Sequence, residues 1–335
     1  MSNFSKILIF LLIILLATGI IIFWYFFTGK APVQGKITWG VDFSQMHAES
    51  LDLEWKELYS SMIEDLGVKN IKIHTQWDWV EGKKDDFYFK DIDWQIKTAE
   101  ENNVKIIYVV GMKTGRWPEC HIPEWAKNLS KQEQQEELLK YIEKVVNRYK
   151  DSEAILYWQV ENEPLFKFGV CPWQDADFLE KEINFVKSLD PSRKVIVSDS
   201  GEQSLWLGAG KRGDIVGITM YRRVWSKITD KFGFYFDSFL PAVHYWKKAQ
   251  LIDKFFNKKV ICIELQAEPW APQLTYDVSL KEQEKSMNLE IFKNNIKYAK
   301  NTGLDTFYFW GVEWWYWLKE KHNQPEIWNE AKKLF

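Results

Sequence analysis

The sequence predicts an α/β fold, a (β/α)8 barrel preceded by an N-terminal transmembrane helix. Three observations predict it. From residue 37 onward, short apolar runs rich in strand formers alternate eight times with longer amphipathic stretches, over roughly the 250 to 400 residues such a barrel takes. No shift in composition divides residues 37–335, so they read as one domain. Residues 7–27 carry no charge and, at about 1.5 Å per residue in a helix, are long enough to cross the hydrocarbon layer. An open doubly wound sheet is the competing architecture, but it seldom needs eight repeats.

The elements follow in order. Lys6 and the amino terminus precede the uncharged run, and Trp24 and Tyr25 sit at its far end like an interfacial belt. The run ends in Phe-Trp-Tyr-Phe-Phe rather than a small-x-small cleavage site, so residues 1–28 read as an uncleaved signal-anchor with the rest of the chain outside the cytoplasm. Residues 29–36, with Gly29, Pro32 and Gly35, form a linker. Residues 36–43 are strand one and 51–66 a helix stopped by Gly67. Residues 70–75 are strand two, with the polar and aromatic exit Gln76-Trp77-Asp78-Trp79, and 92–102 a helix. Residues 104–110 are strand three, 111–129 a long loop and 131–149 a helix with charges at i,i+4 spacing.

Residues 155–160 are strand four. This short apolar run, typical of a strand buried on both faces, leads straight into Glu161-Asn162-Glu163-Pro164. A helix spans 175–189, strand five 194–199, and a short helix 202–210. Strand six is 214–220, followed by Tyr221, Arg222, Arg223 and Trp225. Residues 239–256 are helical with Pro241 in the first turn, and strand seven is 259–264. A helix over 281–300 is capped by Gly303, and strand eight is 306–310. Residues 311–317 are its exit loop, and 325–334 make a last helix.

Composition excludes several classes. The 44 basic and 47 acidic side chains leave a charge of -3, with no basic field for nucleic acid. The five His make no His-x-His or Glu-x-x-His pair and no Gly-rich phosphate loop is present, so no metal or other cofactor is expected. The 19 Trp exceed what packing alone asks for, because each buried indole N–H needs a partner; partly exposed indoles suit the apolar faces of sugar rings. Cys120 and Cys171 fall in loops after strands three and four, and could bridge the top of the fold if those strands are neighbours, whereas Cys262 lies inside a strand.

In a parallel barrel every strand C-terminus lies on one face, so acids just past strand ends can converge. They are Glu81, Glu119, Glu161, Glu163, Asp199, Glu202, Glu264, Glu268 and Glu313. Strands four and seven oppose one another across the mouth, which brings Glu163 and Glu264 together. A carboxylate pair about 5–5.5 Å apart is what a retaining glycosidase needs, one attacking the anomeric carbon while the other protonates the leaving oxygen and then activates water. Burial against apolar walls raises one pKa and suits that group to proton donation.

The run from Trp158 to Pro164 resembles the Asn-Glu-Pro signature ending strand four in clan A glycoside hydrolases, whose second catalytic Glu ends strand seven, as Glu264 does here. The resemblance implies Glu163 as acid/base, Glu264 as nucleophile and Asn162 as donor to the sugar 2-hydroxyl. It also implies Tyr221 as a hydrogen bond to the nucleophile and Trp310 as the floor of the subsite. Many family-five-like members carry Arg on strand two where this chain has Lys72, a point charge without the guanidinium fork. They also often have His-x-Tyr on strand six, replaced here by Thr219-Met220-Tyr221.

Beyond strand ends, Trp77, Trp117 and Trp270 are expected as subsite platforms and Glu313, beside three Trp, as a ligand of a sugar hydroxyl. The expected substrate is a β-linked oligo- or polysaccharide, taken by a membrane-anchored monomer with its catalytic domain extracytoplasmic. A catalytically silent carbohydrate-binding barrel is the alternative that a strand two without Arg permits.

Overall fold

The computed structural model describes residues 3–229 and 232–335. Ten strands are present among them: β1 (Thr38–Phe43), β2 (Asn70–His74), β3 (Lys105–Val110), β4 (Ile155–Val160), β5 (Val195–Asp199), β6 (Ile215–Met220), β7 (Arg223–Thr229), β8 (Phe232–Asp237), β9 (Lys259–Gln266) and β10 (Thr306–Trp310). Eight of them close into a parallel barrel in the order β1-β10-β9-β6-β5-β4-β3-β2, with helices packed outside. The fold is therefore the expected (β/α)8 barrel. Strands β7 and β8 pair only with each other, as an antiparallel ribbon between the sixth and seventh barrel strands.

Alternation along each strand sorts the core into two layers. Ile107, Ile196, Ile215, Ile261, Ile263 and Tyr308 form a compact cluster filling the barrel interior. Residues of the opposite parity, such as Ile106, Tyr108, Val260 and Phe307, join the helices in the large outer core. Gly40 stands beside Tyr308 in register, and a Cβ there would come within 2.6 Å of that ring and 2.7 Å of the Asn70 carbonyl oxygen.

Several helices match their sequence signals closely. Lys131–Tyr149 starts on a capping box in which Ser130 and Glu133 satisfy each other's backbone N–H. Ala176–Leu189 starts at Asp175, whose carboxylate accepts from two first-turn N–H groups. Elsewhere the structure departs from expectation. The stretch 51–66 is not one helix: Gln45–Ser50 ends at Leu51, Asp52 takes a positive φ of 54°, and a second helix covers Trp55–Glu64. Residues 281–300 divide into Leu280–Gln283 and Leu289–Lys300, the second capped by the Asn288 side chain. The helix expected at 202–210 forms later, at Leu207–Arg212, and Pro241 caps Ala242–Phe256 instead of opening its first turn. Residues 312–322 are a helix, not an exit loop, because Trp314 and Trp315 are buried on the outer core.

The N-terminal helix Asn3–Phe27 keeps nearly all of its apolar side chains exposed, and Phe4–Phe27 is long and apolar enough to cross a membrane. Its last turn leans on the start of Ala242–Phe256, with the Phe26 and Phe27 rings 5.5 and 5.4 Å from His244. Cys120 and Cys171 are disulfide-bonded, Cα atoms 5.3 Å apart, and Cys262 is buried in β9.

Filling the Gly40 notch forces either the Tyr308 ring or the barrel backbone to move. Gly40→Ala is expected to cost roughly 1–3 kcal/mol as an overpacked core position does, read as a lower midpoint in a thermal or urea melt.

Candidate active site

The C-terminal ends of β4, β6 and β9 surround a cavity of about 570 Å³ whose wall includes Glu163, Glu264, Asn162, Tyr221, Trp270 and Trp310. How each carboxylate gets there differs. On β4 the chain leaves the strand with Glu161 and Glu163 both at positive φ, 57° and 45°. Glu161 turns away from the cavity and ties two loops together, accepting from the backbone N–H of Met112 and Lys113. Glu163 faces the cavity, with its own N–H donated to Ser198 Oγ at 2.8 Å.

On β9, Ile261 and Ile263 point into the barrel, so strict alternation would turn Glu264 outward. The register against β6 slips between Cys262 and Glu264, and that against β10 slips over the same stretch. This bulge resets the parity and aims Glu264 into the mouth, a common use of bulges beside active sites.

The end of β6 holds both acids. Thr219 Oγ1 donates to Glu163 Oε1 at 2.9 Å, and the Tyr221 hydroxyl donates to Glu264 Oε2 at 2.9 Å. The other oxygen of Glu264 accepts from Lys72 Nζ at 2.8 Å. Lys72 is fully enclosed and meets Asp42 Oδ2 at 2.7 Å; the Asp42 carboxylate in turn hydrogen-bonds His74. Burial opposes the charge on Lys72, but the Asp42 and Glu264 carboxylates overcome it and raise its pKa. Glu163 has no such cation against its carboxyl. Burial first, and then the charge of Glu264, push it up to about 8. The site thus holds one acid with a cation and a phenol donating to it, and one that keeps its proton at neutral pH.

Glu119, absent from the expected site set, also lines the cavity. It is 6% exposed, its Oε2 has no hydrogen-bond partner, and burial raises its carboxyl to about 7, with Lys113 opposing and Glu264 adding. The sequence offers it only as one of the nine acids beyond strand ends, in the long loop that the Cys120 disulfide fixes. Thr219 is legible only as the residue replacing His in His-x-Tyr, and Ser198 not at all, because an inward hydroxyl on a barrel strand leaves no pattern.

The aromatic platforms divide. Trp310 lines the cavity, donates from Nε1 to Glu268 Oε1 at 2.8 Å and stacks on the Arg116 guanidinium at 4.0 Å. Trp270 lines it too, edge-on to Tyr221 at 5.0 Å between centroids. Trp117 stands out from the rim, 54% exposed, with Phe168 6.4 Å away. Trp77 must be corrected. It is fully buried, its N–H donates to Glu81 Oε2, and its ring packs against Trp125 and Tyr141, so no face is left for a sugar.

Glu313 is a second correction. It is fully buried behind the cavity wall, where it accepts from the Ser44 N–H and pairs with Arg116 at 3.1 Å. Arg116 also pairs with Glu268, and His47 Nε2 lies 3.3 Å from the other Glu268 oxygen. Burial raises Glu313 to about 8; burial opposes Glu268 ionising as well, yet Arg116 and His47 prevail and hold it at about 2. The ligand atoms of His47, Glu268 and Glu313 lie within 4.8 Å of one another, but the Arg116 guanidinium already supplies the positive charge there.

The sequence pattern of Glycosyl hydrolase family 10 matches residues 33–333. Among curated proteins, probable mannan endo-1,4-beta-mannosidase A of Aspergillus niger is 38% identical over 65 residues, 18% of this chain and 16% of that protein. Mannan endo-1,4-beta-mannosidase F of Aspergillus clavatus is 29% identical over 119 residues, 33% of this chain and 26% of the relative. The matched segments thus span about a quarter or less of these relatives' length. Among solved structures, a GH10 endoxylanase from a sugarcane soil metagenome superposes with a TM-score of 0.59 at 15% identity, covering 90% of this chain and 98% of that one. That likeness is one of fold.

Removing Arg116 strands Glu268 and Glu313 in a dry pocket. Arg116→Met is expected to lose about 3–5 kcal/mol, the cost of breaking a buried ion pair from one side, seen as a lower urea midpoint with an unchanged m-value.

Proposed function

Since the chain belongs to glycosyl hydrolase family 10, we propose that it is a retaining β-glycoside hydrolase with Glu264 as nucleophile and Glu163 as acid/base. The observation that carries this reading is that Glu163 and Glu264 line one cavity and are each hydrogen-bonded by a residue from the end of β6. Their environments also differ in the sense the chemistry requires.

In the first step Glu264 Oε attacks the anomeric carbon as the glycosidic bond breaks. Glu163, protonated, gives its proton to the departing oxygen, leaving a glycosyl ester on Glu264. Esterification removes the negative charge of Glu264, which after burial is the largest cause holding the Glu163 pKa up. Glu163 then ionises more readily and takes a proton from the water that attacks the same carbon. Glu264 leaves as a carboxylate, with Lys72 and Tyr221 already oriented to receive it. The absence of an Arg fork at Lys72 is no sign of a silent site, since Lys72 contacts Glu264 directly.

Asn162 is the proposed donor to the sugar 2-hydroxyl. Gln159 Nε2 donates to its Oδ1 at 3.3 Å, which leaves the amide NH2, beside the Glu119 carboxyl, as the end for ligand. Trp310 is the proposed floor of the attacked sugar's subsite, Trp270 and the rim Trp117 platforms further along. The mannan-cleaving names of the curated relatives and the xylanase neighbour support a β-1,4-linked polysaccharide backbone as substrate. The N-terminal helix supports a membrane anchor, and the Cys120–Cys171 disulfide an oxidising compartment outside the cytoplasm.

Glu264→Gln is expected to slow turnover of a reactive aryl β-glycoside at least roughly 10³-fold with binding retained; near-normal turnover would remove Glu264 from its role. For Glu163→Ala, added azide is expected to restore activity on the same substrate and release a β-glycosyl azide, the mark of retention. With the wild-type protein, kcat/KM is expected to fall as pH rises through about 8, because the proton of Glu163 is lost there. A profile flat to pH 10 would assign the acid elsewhere.

A further inference from the structure

We propose that the outer face of the β7–β8 ribbon is a membrane contact, seated at the headgroup–acyl boundary of a lipid bilayer beside the N-terminal helix. The two faces of the ribbon are inverted relative to what water asks for. One face carries the pair Trp225 and Tyr235, with the Tyr235 hydroxyl donating to Glu282 at 2.7 Å and Trp225 N–H bonded to the Trp270 carbonyl. That face is held down on the barrel rim. The opposite face should be polar, since a two-stranded ribbon has nothing beyond it. Instead Phe232, Phe234 and Phe236 alternate along β8 at 60%, 43% and 39% exposure, with Ile228 of β7 at 58%. Phe239, just past β8, is 74% exposed.

Four exposed phenylalanines with an isoleucine make a contiguous apolar patch of the kind that marks an interaction surface. Two features of the patch point to lipid as the occupant. First, the patch is continuous with the helix that is apolar enough to span a bilayer: ring centroids step from Phe27 to Phe239 at 6.3 Å, to Phe236 at 6.4 Å and to Phe234 at 6.5 Å. The end of that helix thus meets the ribbon without a polar break. Second, phenylalanine has no hydrogen-bonding handle. A saccharide or an ordinary protein partner would call for Trp, Tyr or Arg here, whereas a bilayer asks only for apolar area beside an anchor. Val224, Ser226, Phe236 and Phe239, with Trp225 and Lys227 of the other face, also line the catalytic cavity at the inner end of the patch, so the contact would hold the cleft mouth at the bilayer surface.

This inference rests on the reading of the N-terminal helix as a membrane span, and the test separates the two. The full chain carrying Phe234→Cys or, in a second variant, Phe232→Cys is labelled with an environment-sensitive fluorophore. It is then reconstituted into phosphatidylcholine–phosphatidylglycerol vesicles with and without bromine-substituted acyl chains. Gln132→Cys, exposed at the start of Lys131–Tyr149, is the control. Labels at 234 and 232 are expected to shift to the blue and to lose about half or more of their emission to the brominated lipid, as an interfacial segment does, while the label at 132 changes in neither respect. Labels at 232 and 234 that emit as in water would overturn the proposal. So would a blue shift without quenching, which would assign the face to a second copy of the chain. Flotation of the unlabelled protein with vesicles reads the anchor alone: a chain that floats with unquenched labels refutes only the ribbon contact. A chain that does not float refutes both. No arm depends on turnover, so the hydrolase reading is tested separately.

Discussion

Two buried cations allow this barrel mouth to hold the acids that it does. Lys72 is shared between Asp42 and Glu264, and Arg116 between Glu268 and Glu313. Carboxylates this deeply buried either lose their charge or find a partner, because desolvation alone costs several kcal/mol per ion. At Glu268, shared between Arg116 and His47, ionisation survives burial; at Glu163, where burial and Glu264 outweigh Lys113, and at Glu313, where burial outweighs Arg116, the proton is held more tightly. The division between a proposed nucleophile and a proposed acid is therefore a matter of which wall each stands against, since both are glutamates.

Lys72 also bears on substitution within the wider clan. A guanidinium would bind two oxygens of one carboxylate, whereas an ammonium reaches single oxygens of two different ones. Here it does the latter, linking β1, β2 and β9 through Asp42, Lys72 and Glu264, with His74 buttressing the Asp42 end. Arg116 does the corresponding job one layer further out and at the same time supports the Trp310 ring. The aromatic floor and the acid cluster behind it are thus one construction.

Around this centre the loops are secured by different means. The disulfide joins the loops after β3 and β4 and fixes Glu119 at the cavity edge. Glu161, although adjacent to the site in sequence, spends its carboxylate on backbone N–H groups of the loop after β3. The ribbon between β6 and β9 supplies an apolar wall opposite, and through Phe239 that wall reaches the N-terminal helix. Attachment and catalysis would then share one end of the barrel.

Much of this was written in the linear sequence. Eight apolar runs, each followed by an amphipathic helix, dictate a closed parallel barrel, because strands of that length are stable only when covered on both faces. That topology alone sends Glu163 and Glu264 to one rim, and the uncharged run before it marks a helix long and apolar enough to span a membrane. Other features depended on contacts between distant residues. Trp77 and Glu313 looked like ligand contacts because each follows a strand end, but neighbouring elements cover them. The ribbon is not legible as a strand pair because β8, Phe-Gly-Phe-Tyr-Phe-Asp, is aromatic on both faces and lacks the apolar–polar alternation of a half-covered strand. Glu264 shows the difference most clearly: its place at the end of an apolar strand is local and readable, whereas its aim into the cavity comes from a register slip against β6 and β10. Periodicity is set by one strand's backbone and can be read from it, but register is set between strands, and only the packed barrel fixes it.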